Sequence, residues 1–331
     1  MTQTMIPPRR PLKVGLYLPN GDGYMSAPSL RRWTGILETA RVAEEVGFDS
    51  LWVADHMIFR FGDGETQGRW EAWSLLSALA ATTSRVEIGP LVSCMSFRNP
   101  ALLAKMAETV DEISGGRLVL AVGAGWHEPE YTAYGFPYDH RASRFEEGFE
   151  ILRDLVRTGR SSLDGRFERT ADCELRPRGP RPSGLPLIVG TNGDRLLRVA
   201  ARHADGWNTT WISDPNAVAP LQAAVDRACD EVGRDPGTLS RSACVYLTLP
   251  DGRGRFPTRS PEEPEPAEPG RIVETLHRFA AAGIDHVMVW LDPKTPSALE
   301  AFGAVLAELD RSGYIVSRES DQSQRLAAET S

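Results

Sequence analysis

The sequence is short of nearly everything that would mark an extracellular, membrane-spanning or nucleic-acid-binding protein. Only four cysteines occur in 331 residues, Cys94, Cys173, Cys229 and Cys244, with no pairing or metal-binding spacing. A disulfide scaffold is therefore excluded. Thiols so scattered read as reduced and mostly buried, and a cytoplasmic location is expected. No apolar stretch approaches the roughly 20 residues that a membrane helix needs, so no membrane partner is expected. Residues 1–11 hold Pro7, Pro8, Arg9 and Arg10 with no apolar core behind them, which reads as a flexible tail and not a signal peptide. A basic excess is missing as well. With 37 Lys and Arg against 45 Asp and Glu, the formal charge is -8, and nucleic acid is excluded as a partner. A small anionic ligand is not, since a few local donors suffice for one.

Several motifs are absent too. There is no GxSxG elbow, no HExxH and no phosphate loop ending in Gly-Lys-Ser. No GxGxxG with a downstream acidic residue marks a Rossmann cofactor site. His127 and Glu130 stand three apart, but no third ligand lies near them in sequence, so no metal site is expected.

What the sequence does have is rhythm. Apolar runs rich in β-branched residues predict strands starting near 13, 51, 86, 118, 187, 206, 243 and 286. Near-continuous apolar runs are how a parallel strand covered on both faces looks. Helical patterns lie between them. Ile36, Leu37, Ala40, Ala43 and Val46 form one stripe that ends at Gly47. Asn99-Pro100 is an N-cap with proline at the first helical position, ahead of Leu102, Leu103, Met106 and Val110 as a buried face. Eight such strands, the first four about 35 residues apart, predict an α/β protein, a single (β/α)8 TIM barrel over 12–311. An open, doubly wound sheet is the alternative.

Two breaks in the rhythm predict insertions after strands 4 and 7. The first spans the doubled interval from Leu118 to Leu187. The second is a Pro/Glu-rich, mobile segment at about 251–269, read either as a lid or as a passive loop. Residues 312–331 read as a polar tail.

In such a barrel the chemistry gathers at the carboxyl ends of the strands. The second strand runs out into Asp55-His56, which puts a proton-transferring imidazole at the mouth; a structural histidine is the other reading. The fourth ends Gly123-Ala124-Gly125-Trp126, glycines for close approach and an indole face for a ring. The fifth ends Gly190-Thr191-Asn192-Gly193 before a helix, a pattern suited to gripping phosphate. Trp207, Trp211 and Trp290 near other strand ends suit an aromatic pocket or, equally, the core.

Together these residues resemble a family. Gly47-Phe48-Asp49-Ser50-Leu51-Trp52-Val53-Ala54-Asp55-His56 is similar to the second βα unit of the luciferase-like monooxygenases. Phe97-Arg98-Asn99-Pro100, Ser114-Gly115-Gly116-Arg117, Gly190-Thr191-Asn192-Gly193 and Ala204-Asp205-Gly206-Trp207 continue the likeness across about residues 12–310, with the actinobacterial deazaflavin-dependent subgroup the most similar. The resemblance implies an F420- or FMN-dependent oxidoreductase or monooxygenase acting on a small molecule, and a homodimer built through the early helices. Coenzyme F420 is the expected cofactor, with FMN and dioxygen as the alternative and a non-catalytic flavin-binding protein as a third reading. It implies catalytic roles for His56 and, beside it, Asp55, either to orient the imidazole or to hold the loop. It implies a non-proline cis peptide at about Leu91-Val92, and cofactor contacts from Leu91, Val92, Gly123, Ala124, Gly125, Trp126, Gly190, Thr191, Asn192 and Gly193. One departure stands out. Deazaflavin-dependent sugar-phosphate dehydrogenases of that family carry a catalytic glutamate where this chain has Trp126, so their mechanism does not transfer. The helix between Trp70 and Thr82, with Trp73, Leu75, Leu76 and Leu79, is the expected dimer face.

Overall fold

The structure is a computed structural model that describes residues 10–22, 31–62, 64–252 and 265–329, the last helix by its backbone alone beyond Ser312. In chain order its elements are β1 (Lys13–Tyr17), α1 (Trp33–Val46), β2 (Ser50–Val53), β3 (Ile58–Phe59), β4 (Gln67–Gly68), α2 (Ala72–Thr82), β5 (Glu87–Pro90) and β6 (Ser93–Cys94). Then come α3 (Pro100–Ser114), β7 (Leu120–Gly123), α4 (Glu128–Tyr134), α5 (Arg141–Thr158), β8 (Arg160–Asp164), β9 (Arg169–Glu174) and β10 (Leu187–Gly190). The chain closes with α6 (Asp194–His203), β11 (Gly206–Ile212), α7 (Val218–Val232), β12 (Ser240–Thr248), α8 (Pro269–Ala281), β13 (His286–Asp292) and α9 (Pro296–Glu329).

Nine strands form one parallel sheet in the order β5-β2-β1-β13-β12-β11-β10-β7-β6. The two edges meet, because Ile88 of β5 bridges Leu118 just ahead of β7, and Val119 N donates to Ile88 O at 2.9 Å. The sheet is therefore a barrel of eight staves, with β5 and β6 as two halves of the third. Between those halves the Leu91-Val92 peptide is cis, as the resemblance implied. The expected strand starts lie within three residues of the observed ones. The seam, where the first and last staves meet, pairs Lys13 with His286 and Leu16 with Val289. Beside it Arg10 donates to Asp310 and Asp49, tying the start of the barrel to α9.

Local chemistry sets the helix ends. The Asn99 side chain accepts from Ala101 N and Leu102 N, and Pro100 opens α3. Gly115 at φ 67° and Gly47 at φ 104° take the left-handed turn that stops α3 and α1. One expected core position is wrong: Leu102 is 53% exposed, and Leu103, Ala104, Ala107 and Val110 make the buried stripe.

The insertion after the fourth stave holds α4, α5 and the β8–β9 hairpin. A further hairpin that periodicity does not reveal, β3–β4, follows the second stave. Of the segment expected at 251–269, residues 253–264 lie outside those described, as do 1–9 of the expected N-terminal tail. The expected polar tail from 312 continues the range of α9. On the expected dimer helix, Trp73, Leu75, Leu76 and Leu79 are all buried within the protomer; the exposed ring on that side is Trp70.

Candidate active site

His56 lies three residues past β2, at the mouth of the barrel. Its Nδ1 is 2.7 Å from Glu130 Oε1, and the other carboxylate oxygen, Oε2, accepts from Met57 N at 2.8 Å. Glu130 is 1% exposed and sits on α4, the helix after the fourth stave. Both its oxygens are committed, so the imidazole is fixed and Nε2 remains to exchange a proton. Sequence reasoning had Glu130 in view as half of a metal pair with His127 and missed this partnership. The available signal was an acidic residue on a short helix straight after a glycine-rich strand end. His127 instead accepts from Arg60 N through Nε2 at 3.0 Å. Burial lowers its pKa from 6.5, against the smaller opposing pull of Glu130.

An aromatic wall stands beside the imidazole. Phe59 of β3 lies 4.3 Å from the His56 ring and Trp126 lies 5.8 Å from it. Phe59, Phe61 and Trp126 stack on one another, and Phe61 and Trp126 are about half exposed. The hairpin that periodicity did not reveal thus supplies much of the rim.

Of the two tasks expected for Asp55, the geometry fits holding the loop. Its carboxylate accepts two bonds from Arg98, at 2.6 and 2.9 Å, and one each from Ser93 Oγ and Cys94 N. Arg98 also donates to Glu71, the side chain that caps α2. Asp55 is 2% exposed, and this clamp fastens the second half of the broken stave to the end of β2.

Leu91, Val92, Gly123 and Gly190 come together next to the clamp. A side chain at Gly123 would start 2.7 Å from Val92 Cγ2, and one at Gly190 would start 2.9 Å from Val92 Cγ1. The two glycines therefore make room for Val92. Gly125, at φ 75°, lies under Tyr131, whose hydroxyl donates to Ala124 O at 2.9 Å and contacts Cys94 Sγ. Burial pushes the Cys94 thiol up to about 12, so it is no thiolate nucleophile.

The turn from Gly190 to Gly193 leads into α6. Its Thr191 N is engaged by Asn208 O at 3.2 Å and Gly193 N by Thr191 Oγ1 at 3.1 Å. Trp207 Nε1 donates to Thr191 O, and Thr209 donates to Asn192. The amides remaining at the turn and helix start belong to Asn192, Asp194 and Arg195. A side chain at Gly193 would meet nothing closer than 4.0 Å, so this corner is open.

Across the mouth, toward the seam, lies a second aromatic group. Tyr17 stacks on Trp290 at 4.7 Å, Trp211 stacks on Tyr246 at 4.8 Å, and the two pairs meet edge to face. Burial pushes the Tyr17 phenol up to about 12. Buried polar atoms without a hydrogen-bond partner among the described residues include Asn20 Oδ1, Ser213 Oγ and Thr248 Oγ1, each at the carboxyl end of a stave. Among the described residues no cluster of His, Cys, Asp and Glu is placed to hold a metal ion, and no helix is long and apolar enough to cross a membrane.

Known proteins agree with this picture. The family model described as luciferase-like monooxygenase matches residues 12–253. The pyrimidine monooxygenase RutA of Klebsiella pneumoniae subsp. pneumoniae is 32% identical over 257 residues, which are 72% of this chain and 68% of that one. Among solved structures, an F420-dependent secondary alcohol dehydrogenase with an F420-acetone adduct matches at a TM-score of 0.74 and 20% identity, over 89% of this chain and 98% of that one. A riboflavin lyase, RcaE, with modified FMN and riboflavin also matches at 0.74, with 14% identity and 92% of each chain. Those two likenesses are of fold. Family model and relatives together identify the chain as a member of the luciferase-like monooxygenase family, an oxidoreductase of that fold.

Proposed function

We propose that this oxidoreductase transfers hydride between coenzyme F420 and a small organic substrate, with His56 exchanging the accompanying proton. The observation that carries the reading is the His56–Glu130 pair, a fixed imidazole at the mouth of the barrel beside the aromatic rim. The surrounding residues fit a flat ring with a phosphate tail: the Leu91-Val92 bulge, an open corner at Gly193, and the amides at the start of α6. When bound, the deazaflavin would supply the hydride donor or acceptor. The chain's own residues do the rest. Glu130 holds the imidazole by Nδ1, so that Nε2 takes or gives the proton. Phe59, Phe61 and Trp126 exclude water from one side, and Asp55 with Arg98 keeps the bulge in place.

A second reading, a monooxygenase using reduced FMN and dioxygen, is favoured by the pyrimidine monooxygenases at 32% identity. F420-dependent structures and an FMN-containing one match nearly the whole fold alike. Titrating the purified protein with F420 and with FMN, followed by cofactor fluorescence, separates the two. Binding of F420 at least ten-fold tighter supports the first, the reverse supports the second, and binding of neither overturns both. A homodimer is part of the proposal. The groove of Arg32, Trp33, Trp70, Glu71, Ser74, Leu75 and Ala78, rather than the buried face of α2, is the surface for it. Sedimentation showing monomer alone at micromolar concentration would refute it.

A further inference from the structure

Lys294 follows the last stave, two residues past β13, and is only 7% exposed. A buried ammonium normally has a carboxylate and several acceptors around it. This one has Asp292 near enough to act on it, but among the described residues it forms no hydrogen bond and no ion pair within 4 Å. Its contacts are faces of rings, with Nζ 3.2 Å from the Trp290 centroid and 5.0 Å from that of Tyr17. Burial lowers its pKa well below 10.5, ahead of the opposing pull of Asp292 and the further push of Arg69.

The neighbouring cation is likewise unpaired. Arg69 donates to the carbonyls of Asp22 and Gly68 and lies 4.8 Å over Phe59, with no carboxylate in ion-pair range among the described residues. A chain of net charge -8 thus places a buried lysine and an arginine, neither in an ion pair among the described residues, beside its barrel mouth. Their position matters too. Around the barrel the seam side, β1-β13-β12-β11, lies opposite the staves β6, β7 and β10 that hold Val92, Gly123 and Gly190.

We propose that Lys294 is the anion-recognising group of the substrate pocket, taking the oxyanion of a planar, negatively charged substrate, a carboxylate or an enolate, whose flat face lies against Tyr17, Trp211 and Trp290. The inference rests on the reading of the mouth as the reaction site and adds the class of substrate. It explains why the rings stand where a carboxylate would otherwise neutralise the lysine. They cover the amine without giving it an acceptor, so an anion that arrives completes the site. Arg69 adds long-range attraction to the same ligand.

The test uses benzoate and its neutral isostere benzamide on the purified full-length protein, read by tryptophan fluorescence and by calorimetry. Benzoate should bind at least ten-fold tighter than benzamide, and Lys294→Met should abolish that preference while Lys294→Arg keeps part of it. Equal binding of the two probes by the native protein overturns the proposal, and this arm needs no variant to fold. Retention of the preference by a folded Lys294→Met, or by Lys294→Gln, also overturns it and leaves the lysine a structural residue. Repeating the titration on protein saturated with F420 or FMN distinguishes substrate from cofactor. Benzoate that still binds supports the substrate side, whereas competitive displacement assigns Lys294 to the cofactor ring and overturns the proposal. Failure of either cofactor to bind refutes the proposed function alone, since the probes are first measured without one.

Discussion

The two ends of the barrel interior treat polar side chains in opposite ways. At the amino ends of the staves, Ser50 Oγ pairs with His286 Nε2 at 2.8 Å and accepts from Trp52 Nε1 at 2.7 Å, while Asn208 donates to Ser242, which donates to Trp207 O. That floor is closed: its groups satisfy one another. At the carboxyl ends Asn20 Oδ1, Ser213 Oγ and Thr248 Oγ1 are left without hydrogen bonds among the described residues. A buried polar atom costs on the order of 1–3 kcal/mol when unpaired, so a fold keeps such atoms where a ligand completes them. The floor holds the staves together and the mouth holds chemistry.

The sharpest break in that comparison would come from His56→Ala. Turnover should fall by roughly two to four orders of magnitude with cofactor affinity retained, while the melting temperature drops because the buried Glu130 loses a partner. Near-normal turnover would make the histidine structural and erase the contrast. Glu130→Gln should lower turnover in the same direction, since the amide leaves the imidazole without its carboxylate partner.

The floor has its own signature, in pH. Burial holds His286 down at about 3 instead of 6.5. Below pH 6.5 the unfolded chain takes up a proton that the folded chain refuses until about pH 3. Stability from this site is therefore complete above 6.5 and falls as the pH drops, by at most roughly 1.4 kcal/mol per pH unit. Urea midpoints measured from pH 7 to 4 should decline more steeply for the native protein than for His286→Gln, whose amide can still meet Ser50. Parallel slopes would remove His286 from the account.

Between floor and mouth sits Val92. Gly123→Ala should cost roughly 1–3 kcal/mol by overpacking, and Val92→Ala in the same chain should recover most of it. No recovery would mean that the glycine is needed for something other than Val92. The smallest effect is expected at Trp70→Ser. It should alter protomer stability by less than about 0.5 kcal/mol while shifting sedimentation toward monomer.

The staves were legible in the sequence because buried parallel strands are written as continuous apolar runs, such as Val14 to Leu18 and Val287 to Leu291. His56 was legible because a strand end is a place that can be read along the chain. Its partner was not. Glu130 reaches His56 across 74 residues, and only closure of the barrel brings them together. Strands of two residues, Ile58–Phe59 and Gln67–Gly68, carry no period, so the hairpin that builds the rim left no pattern. Lys294 was hidden for the opposite reason: a lysine just past a strand reads as a surface residue until the rings of Tyr17 and Trp290 are seen to cover it. Asp55 was placed next to His56 by sequence and turned away from it by Arg98.

The seam has one more consequence, and it concerns time. β1 leaves the ribosome long before its partner β13, since Lys13 pairs with His286. At 5–20 residues per second the first stave waits roughly a quarter of a minute to a minute with one edge bare. Throughout that interval an apolar strand stands ready to pair with any other nascent chain. Arg10, which fastens Asp49 early and Asp310 only at the end, spans the same interval. Yield from the cell should therefore depend on chaperone supply and on the pace of translation between β1 and β13 far more than the stability of the finished barrel would suggest.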